Sequence, residues 1–153
     1  MKKQTHKLKR ETFIPSSIDT IFNFFSQAEN LNRITPPWLH FKILTKTPVQ
    51  MTKGKLIDYS LRLHGIPVRW RSQIIGWDPP HSFVDTQIKG PYTTWIHHHL
   101  FHAENKGTVM QDIVEYAVAG SILEPIIHFF VRRDLERIFD YREKSLAKIL
   151  SEL

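Results

Sequence analysis

The sequence predicts an α+β fold: a curved antiparallel sheet of about seven strands wrapped on one long C-terminal helix, with two short helices after the first strand. Three observations predict it. Apolar residues recur at helical spacing from Ser121 to Leu150, stepping through Leu123, Ile127, Phe130, Val131, Leu135, Ile138, Tyr141, Leu146 and Ile149. Between Leu39 and Ala117 the apolar period falls to two, as half-buried strands require. The helix, roughly 45 Å long at ~1.5 Å per residue, needs a large surface to cover its greasy face. Only the sheet offers one.

The elements follow in order. Leu8 to Ile14 reads as the first strand, ended by Pro15. Ser16 or Ser17 can cap a short helix with Ile18, Ile21, Phe22 and Phe25 on one side. A second helical turn, Ala28 to Ile34, is stopped by Pro36-Pro37. Phe41, Ile43 and Thr45 then begin the alternation; Ile57 to Leu63 and Val68 to Ile74 continue it, joined by a tight turn at His64-Gly65. Asp78-Pro79-Pro80 ends that strand and His81 to Ile88 forms the next. Gly90-Pro91 turns the chain into Trp95 to Ala103, and Glu104-Asn105-Lys106-Gly107 turns it into Thr108 to Ala117. Gly120 breaks the last strand, and Ser121 with Glu124 spells a capping box for the long helix, with Pro125 near its first turn.

At 153 residues the chain fits one domain, residues 1–153, with no repeat or Pro/Gly-rich linker to divide it. It has no cysteine, so disulfides, thiolate nucleophiles and zinc-thiolate clusters are excluded and a cytoplasmic setting is expected. The basic start, Met1 to Arg10, is followed by no apolar segment of the kind a signal peptide carries. No apolar run approaches the ~18 residues of a membrane span, so no stable membrane insertion is expected. The formal charge of +6 is scattered beyond the first ten residues, which does not suggest nucleic acid as a partner.

Strand parity places polar groups on the inner face. Trp95, His97, His99 and Phe101 share a face, as do Met110, Asp112, Val114 and Tyr116, and Phe83, Asp85 and Gln87. A slip of one residue would instead turn Ile96, His98, Leu100 and His102 inward. The first register is preferred because it buries Trp95, Phe101, Phe83 and Tyr116 together. Six inward polar side chains are expensive without partners or water. They point to a cavity between sheet and helix, or to a satisfied internal hydrogen-bond network.

Several runs carry a family resemblance. Ala28-Glu29-Asn30-Leu31 with Ile34-Thr35-Pro36-Pro37, then Phe83-x-Asp85-x-Gln87-x-x-Gly90-Pro91, Trp95-x-His97-x-His99-x-Phe101 and Asp112-x-Val114-x-Tyr116 resemble the START-like (SRPBCC) superfamily. Gly120 and the helix residues Arg133, Leu135, Ile138-Phe139 and Tyr141-Arg142 extend the likeness over nearly the whole chain. The branch it resembles is bacterial and polyketide-cyclase-like, with the helix-grip fold first seen in a birch pollen allergen. The resemblance implies that fold and a small-ligand cavity. The superfamily holds lipid carriers, aromatic cyclases, quinone-binding proteins and hormone receptors, so it does not settle the chemistry. Some relatives are joined to sugar-nucleotide epimerase-like domains; a partner of this chain would be separate.

The expected function is binding of a small, largely apolar molecule (lipid-, polyketide- or quinone-like) as carrier or sensor. Trp70, Trp95, Phe101, Ile127 and Phe130 would supply apolar contacts; Asp85, Gln87, His97, His99, Asp112 and Tyr116 would orient the ligand. An alternative is a cyclase or dehydratase using His/Asp acid–base chemistry, with Tyr116 polarising a carbonyl. A second is an accessory domain that binds a protein partner, or a second copy, through the greasy start of the long helix. His97, His99 and Asp112 make a two-His-one-carboxylate set on paper, but nothing supplies its outer shell, and no metal is expected. No nucleotide loop or G-x-S-x-G elbow is present, and no cofactor is expected.

Overall fold

The computed structural model describes residues 4–120 and 122–152. Its strands are β1 (His6–Ile14), β2 (Lys42–Ile43), β3 (Leu56–Leu63), β4 (Ile66–Asp78), β5 (Ser82–Lys89), β6 (Thr94–Glu104) and β7 (Gly107–Ala117). They form one antiparallel sheet in the order β1-β7-β6-β5-β4-β3-β2. The helices are α1 (Ile18–Phe25), α2 (Leu31–Ile34) and α3 (Glu124–Ser151). The α+β helix-grip architecture is the one the alternating and helical periods predict.

Local chemistry explains the turns. Ser17, not Ser16, caps α1: its Oγ accepts from the Thr20 backbone N–H at 3.2 Å. At the β3–β4 hairpin both His64 (φ 50°) and Gly65 (φ 80°) are left-handed, the backbone a two-residue hairpin demands. Two expectations change. The strand from Leu39 shrinks to Lys42–Ile43, because Pro37–Leu39 coils into a 3-10 turn and His40 takes a left-handed φ of 46°. The long helix starts at Glu124, and its N-cap residue, Leu123, makes no side-chain cap bond. Ser121 lies outside the described residues. The Glu124 carboxylate meets His6 of β1 instead, at 2.8 Å.

α3 runs alongside β1. His6 meets Glu124, Arg10 donates to Asp140 at 2.6 Å and to Glu143 at 3.2 Å, and Ile14 shares a core with Leu146. That core fills one end of the molecule: Phe22, Phe24 and Phe25 of α1 pack with Phe83, Phe101, Met110, Leu146, Ile149 and Leu150. Burying each large apolar side chain contributes about 1.5–3 kcal/mol. A second cluster, Leu8, Val114, Tyr116, Leu135 and Phe139, joins helix and sheet near β1 and β7. Between these two packed regions and the β3–β4 side, the sheet and α3 stay apart. No described helix is long and apolar enough to cross a membrane.

Candidate functional site

The space left between sheet and α3 is a cavity of about 180 Å³, room for a molecule rather than a single water. β3 supplies Tyr59, Leu61 and Leu63; β4 supplies Trp70 and Ser72; β5 and β6 supply Asp85, Trp95, His97 and His99. Leu31, Thr35, Leu39 and Phe41 close one end, and α3 roofs it with Leu135, Ile138, Phe139 and Arg142. Trp70, Tyr92 and Trp95 pack against one another, with Trp70 and Trp95 edge to face at 5.2 Å. Most of the wall is aromatic or aliphatic.

The polar floor is a linked set. Alternation along β6 puts His97 and His99 on the inner face, both buried, with their rings stacked at 3.7 Å. His97 Nε2 bonds Asp112 Oδ1 at 2.7 Å, and His99 Nε2 bonds Asp85 Oδ2 at 2.7 Å. His99 Nδ1 stands 3.4 Å from Asp112 Oδ1, an ion contact without hydrogen-bond alignment. The Phe83 ring covers the other face of His99 at 3.9 Å. Carboxylates and imidazoles therefore alternate as Asp85, His99, Asp112, His97.

Burial opposes charge throughout this set, and the neighbours decide which groups keep it. Desolvation and the nearby His99 lower the pKa of His97 despite Asp112. Burial works against His99 too, but two carboxylates overcome it and raise its pKa. Asp112 is held far below the usual carboxylate range: the hydrogen bond from His97 and the close approach of His99 outweigh its desolvation. Asp85 is lowered in the same way, by His99 first. The set thus favours positive charge on His99, between two carboxylates, over positive charge on His97. A neutral His97 that gives Nε2–H to Asp112 keeps its lone pair on Nδ1, ready to take a proton or a hydrogen bond.

Not every expected site residue reaches the cavity. Trp70, Asp85, Trp95, His97 and His99 line it. Asp112 lies behind the histidines, bonded to His97, and does not line the cavity. Gln87 is turned to the β5–β6 connection, where Nε2 donates to Tyr92 O at 2.8 Å and Oε1 accepts from Tyr92 N at 3.1 Å. A Cβ at Gly90 would sit 2.4 Å from Gln87 Oε1, so this brace requires glycine there. Phe101 belongs to the aromatic core with Phe22 and Phe25. Tyr116 is buried near β1, its hydroxyl 3.0 Å from His128 Nε2, and does not line the cavity. Ile127 and Phe130 are exposed, because this part of α3 turns Glu124, His128 and Arg132 toward β1 and β7 instead.

The sequence reading missed Tyr59, Leu61 and Leu63, although their shared parity on β3 was visible. It also left Phe139 out of the helix stripe, four residues after Leu135 and so on the same face. Arg142 stands in the sequence only as part of the family resemblance, with no site role attached to it. As for metals, Asp85, His97 and His99 bring ligand atoms within 4.8 Å of one another, with Asp85 rather than Asp112 as the carboxylate. An ion on either Nε2 would have to displace a carboxylate bond already made.

Comparison with known proteins agrees with the architecture. Residues 14–140 match the family described as polyketide cyclase / dehydrase and lipid transport, and the chain belongs to it. Its fold is that of the START-like superfamily. A START superfamily protein from Mycobacterium smegmatis is 13% identical with a TM-score of 0.72, covering 94% of this chain and 99% of that one. Norcoclaurine synthase from Thalictrum flavum, a point mutant with a bound transition-state analogue, is 18% identical with a TM-score of 0.69 over 99% and 98% of the two chains. The di-domain aromatase/cyclase StfQ of steffimycin biosynthesis is 17% identical with a TM-score of 0.75; the match covers 97% of this chain and 52% of that one. At these identities the likeness is one of fold. No curated protein matches the sequence.

Proposed function

We propose that the whole chain acts as one ligand-binding domain. It holds a small, largely apolar molecule with a few polar groups between sheet and α3, as carrier or sensor. The cavity carries this reading: an aromatic and aliphatic wall around one polar floor suits an amphipathic guest of lipid, polyketide or quinone type. Trp70 and Trp95 form wall, and His97 and His99 orient the guest. A cytoplasmic setting belongs to the proposal, since a chain without cysteine suits a reducing compartment. Mass spectrometry of small molecules extracted from the purified protein tests it. An amphipathic compound near one per chain is expected; failure to bind any of a panel of aromatic, acyl and quinone compounds sinks the idea.

The Asp85–His99–Asp112–His97 series supports a second reading, cyclase or dehydratase chemistry with His97 as the base. If His97→Ala and Asp112→Ala each abolish turnover of a keto-ester or polyketide while its affinity holds, the enzyme reading wins. Loss of affinity alone favours the carrier. Ile126 and Phe129 at the exposed start of α3 mark where a second copy or a protein partner would dock.

A further inference from the structure

We propose that the guest of this cavity carries a carboxylate, and that Arg142 binds it. The inference rests on the ligand-binding reading above and narrows it to a class of acid.

Arg142 projects from α3 into the wall of the cavity, and it also borders the small void over Asp112. Its Nε is buried and makes no hydrogen bond. Among the described residues no side chain pairs with its guanidinium; its contact is with the Phe139 ring, 5.0 Å away. The other arginines facing α3 or projecting from it are differently placed, and Arg133 is exposed. Arg10 holds Asp140 and Glu143, Arg132 holds Glu136, and Arg137 lies 5.1 Å over Trp38. A guanidinium has five donors and is charged at every accessible pH, so a buried Nε left bare is a costly omission unless an acceptor arrives.

The nearby carboxylates are already engaged. Asp85 feels the Arg142 charge but accepts its hydrogen bond from His99. Asp112 is held by His97 and His99. Neither carboxylate hydrogen-bonds Arg142, so both are spent on the histidines. What the cavity lacks is a planar acceptor beside apolar walls. A carboxylate meets the guanidinium fork through paired N–H···O bonds, with Phe139 fixing the plane of the arginine. The remainder of the guest then lies toward Tyr59, Leu61, Trp70 and Trp95.

The experiment uses matched probes, 2-naphthoic acid and the neutral ketone 2-acetonaphthone, titrated at pH 7 against tryptophan fluorescence. The acid should bind the native protein about ten- to a hundredfold more tightly than the ketone, the worth of a charge-assisted bond. Arg142→Gln should remove that preference, and an unchanged far-ultraviolet circular dichroism spectrum and thermal midpoint show that the variant is folded. Arg142→Lys should keep part of it. If the native protein binds acid and ketone equally, or Arg142→Gln retains the preference, the carboxylate assignment is wrong while the cavity stands. If neither probe binds at millimolar concentration, the cavity reading falls with it.

Discussion

The two halves of α3 are held by different forces. From Leu135 onward the helix buries Leu135, Phe139, Leu146, Ile149 and Leu150, and Arg10 reaches two of its carboxylates. Before Leu135 no helix residue is buried; Ile126 is 57% exposed and Phe129 63%. That half is tied by polar contacts instead: His6 to Glu124, Tyr116 to His128, and Arg132 Nη1 donating to Lys7 O at 2.9 Å. The same helix is therefore a packed roof beyond Leu135 and a hydrogen-bonded flap before it. In the flap Val131 packs on the core, but the exposed Ile126 and Phe129 do not hold the monomer together.

The largest expected effect breaks the packed half. Phe139→Ala empties a site between Leu135, the His97 ring and the wall of the cavity. It should cost about 3–5 kcal/mol in denaturant unfolding. A cost below ~1 kcal/mol would show that this half is no better packed than the flap.

How much of this was legible in the sequence follows from the same contrast. On β6, period two with Trp95 and Phe101 flanking His97 and His99 left little doubt about which face was buried, and the structure keeps that register. Parity gives a face, however, and not a depth. Phe101 and Tyr116 point inward as expected, but one is in the aromatic core and the other beside His128. Helical periodicity has a related limit: it puts Ile127 and Phe130 on the stripe, whereas the face that meets β1 and β7 there carries Glu124, His128 and Arg132. Gln87 and Asp112 act on neighbours four or more residues away, and only the fold shows which neighbours. Arg142 carries the family resemblance but no inward role could be read for it, because a charged residue on an amphipathic helix ordinarily faces water.

A medium effect separates the halves by pH. His128 is stacked on His6 at 3.5 Å, and its pKa is lowered, first by burial and then by His6, with Arg132 adding and Glu124 opposing. A histidine lowered on folding binds fewer protons in the native state, so its contribution is present above the ordinary value of ~6.5 and is lost as pH falls below it. Beyond Leu135 the ties are Arg10 with its carboxylates and Phe139 on the His97 ring, where His97 is lowered and its neighbour His99 raised, so their effects of pH oppose each other. Hydrogen exchange, corrected for intrinsic rates, should run faster at residues 124–130 than at 135–146 at neutral pH. The gap should widen at pH 5.5, and adding a bound acid should narrow it if the flap gates the cavity. Equal protection along α3 at both pH values would remove the distinction.

The smallest expected effect is the most telling about the flap. Ile126→Ser and Phe129→Ser replace apolar side chains that lie mostly in water, so neither removes packing from the monomer. Each should change stability by no more than about 0.5 kcal/mol, the range of ordinary surface substitutions. Serine's weaker helix propensity already accounts for a cost of that size. Phe129 and Phe130 do touch, edge to face at 5.5 Å, but both rings remain exposed and the pair shields little surface. The measurement is thermal unfolding at several protein concentrations. A shift of several degrees that grows with concentration would mean that a second copy covers the flap. No shift at any concentration would leave Ile126 and Phe129 uncovered in the free protein, available to whatever meets the start of α3.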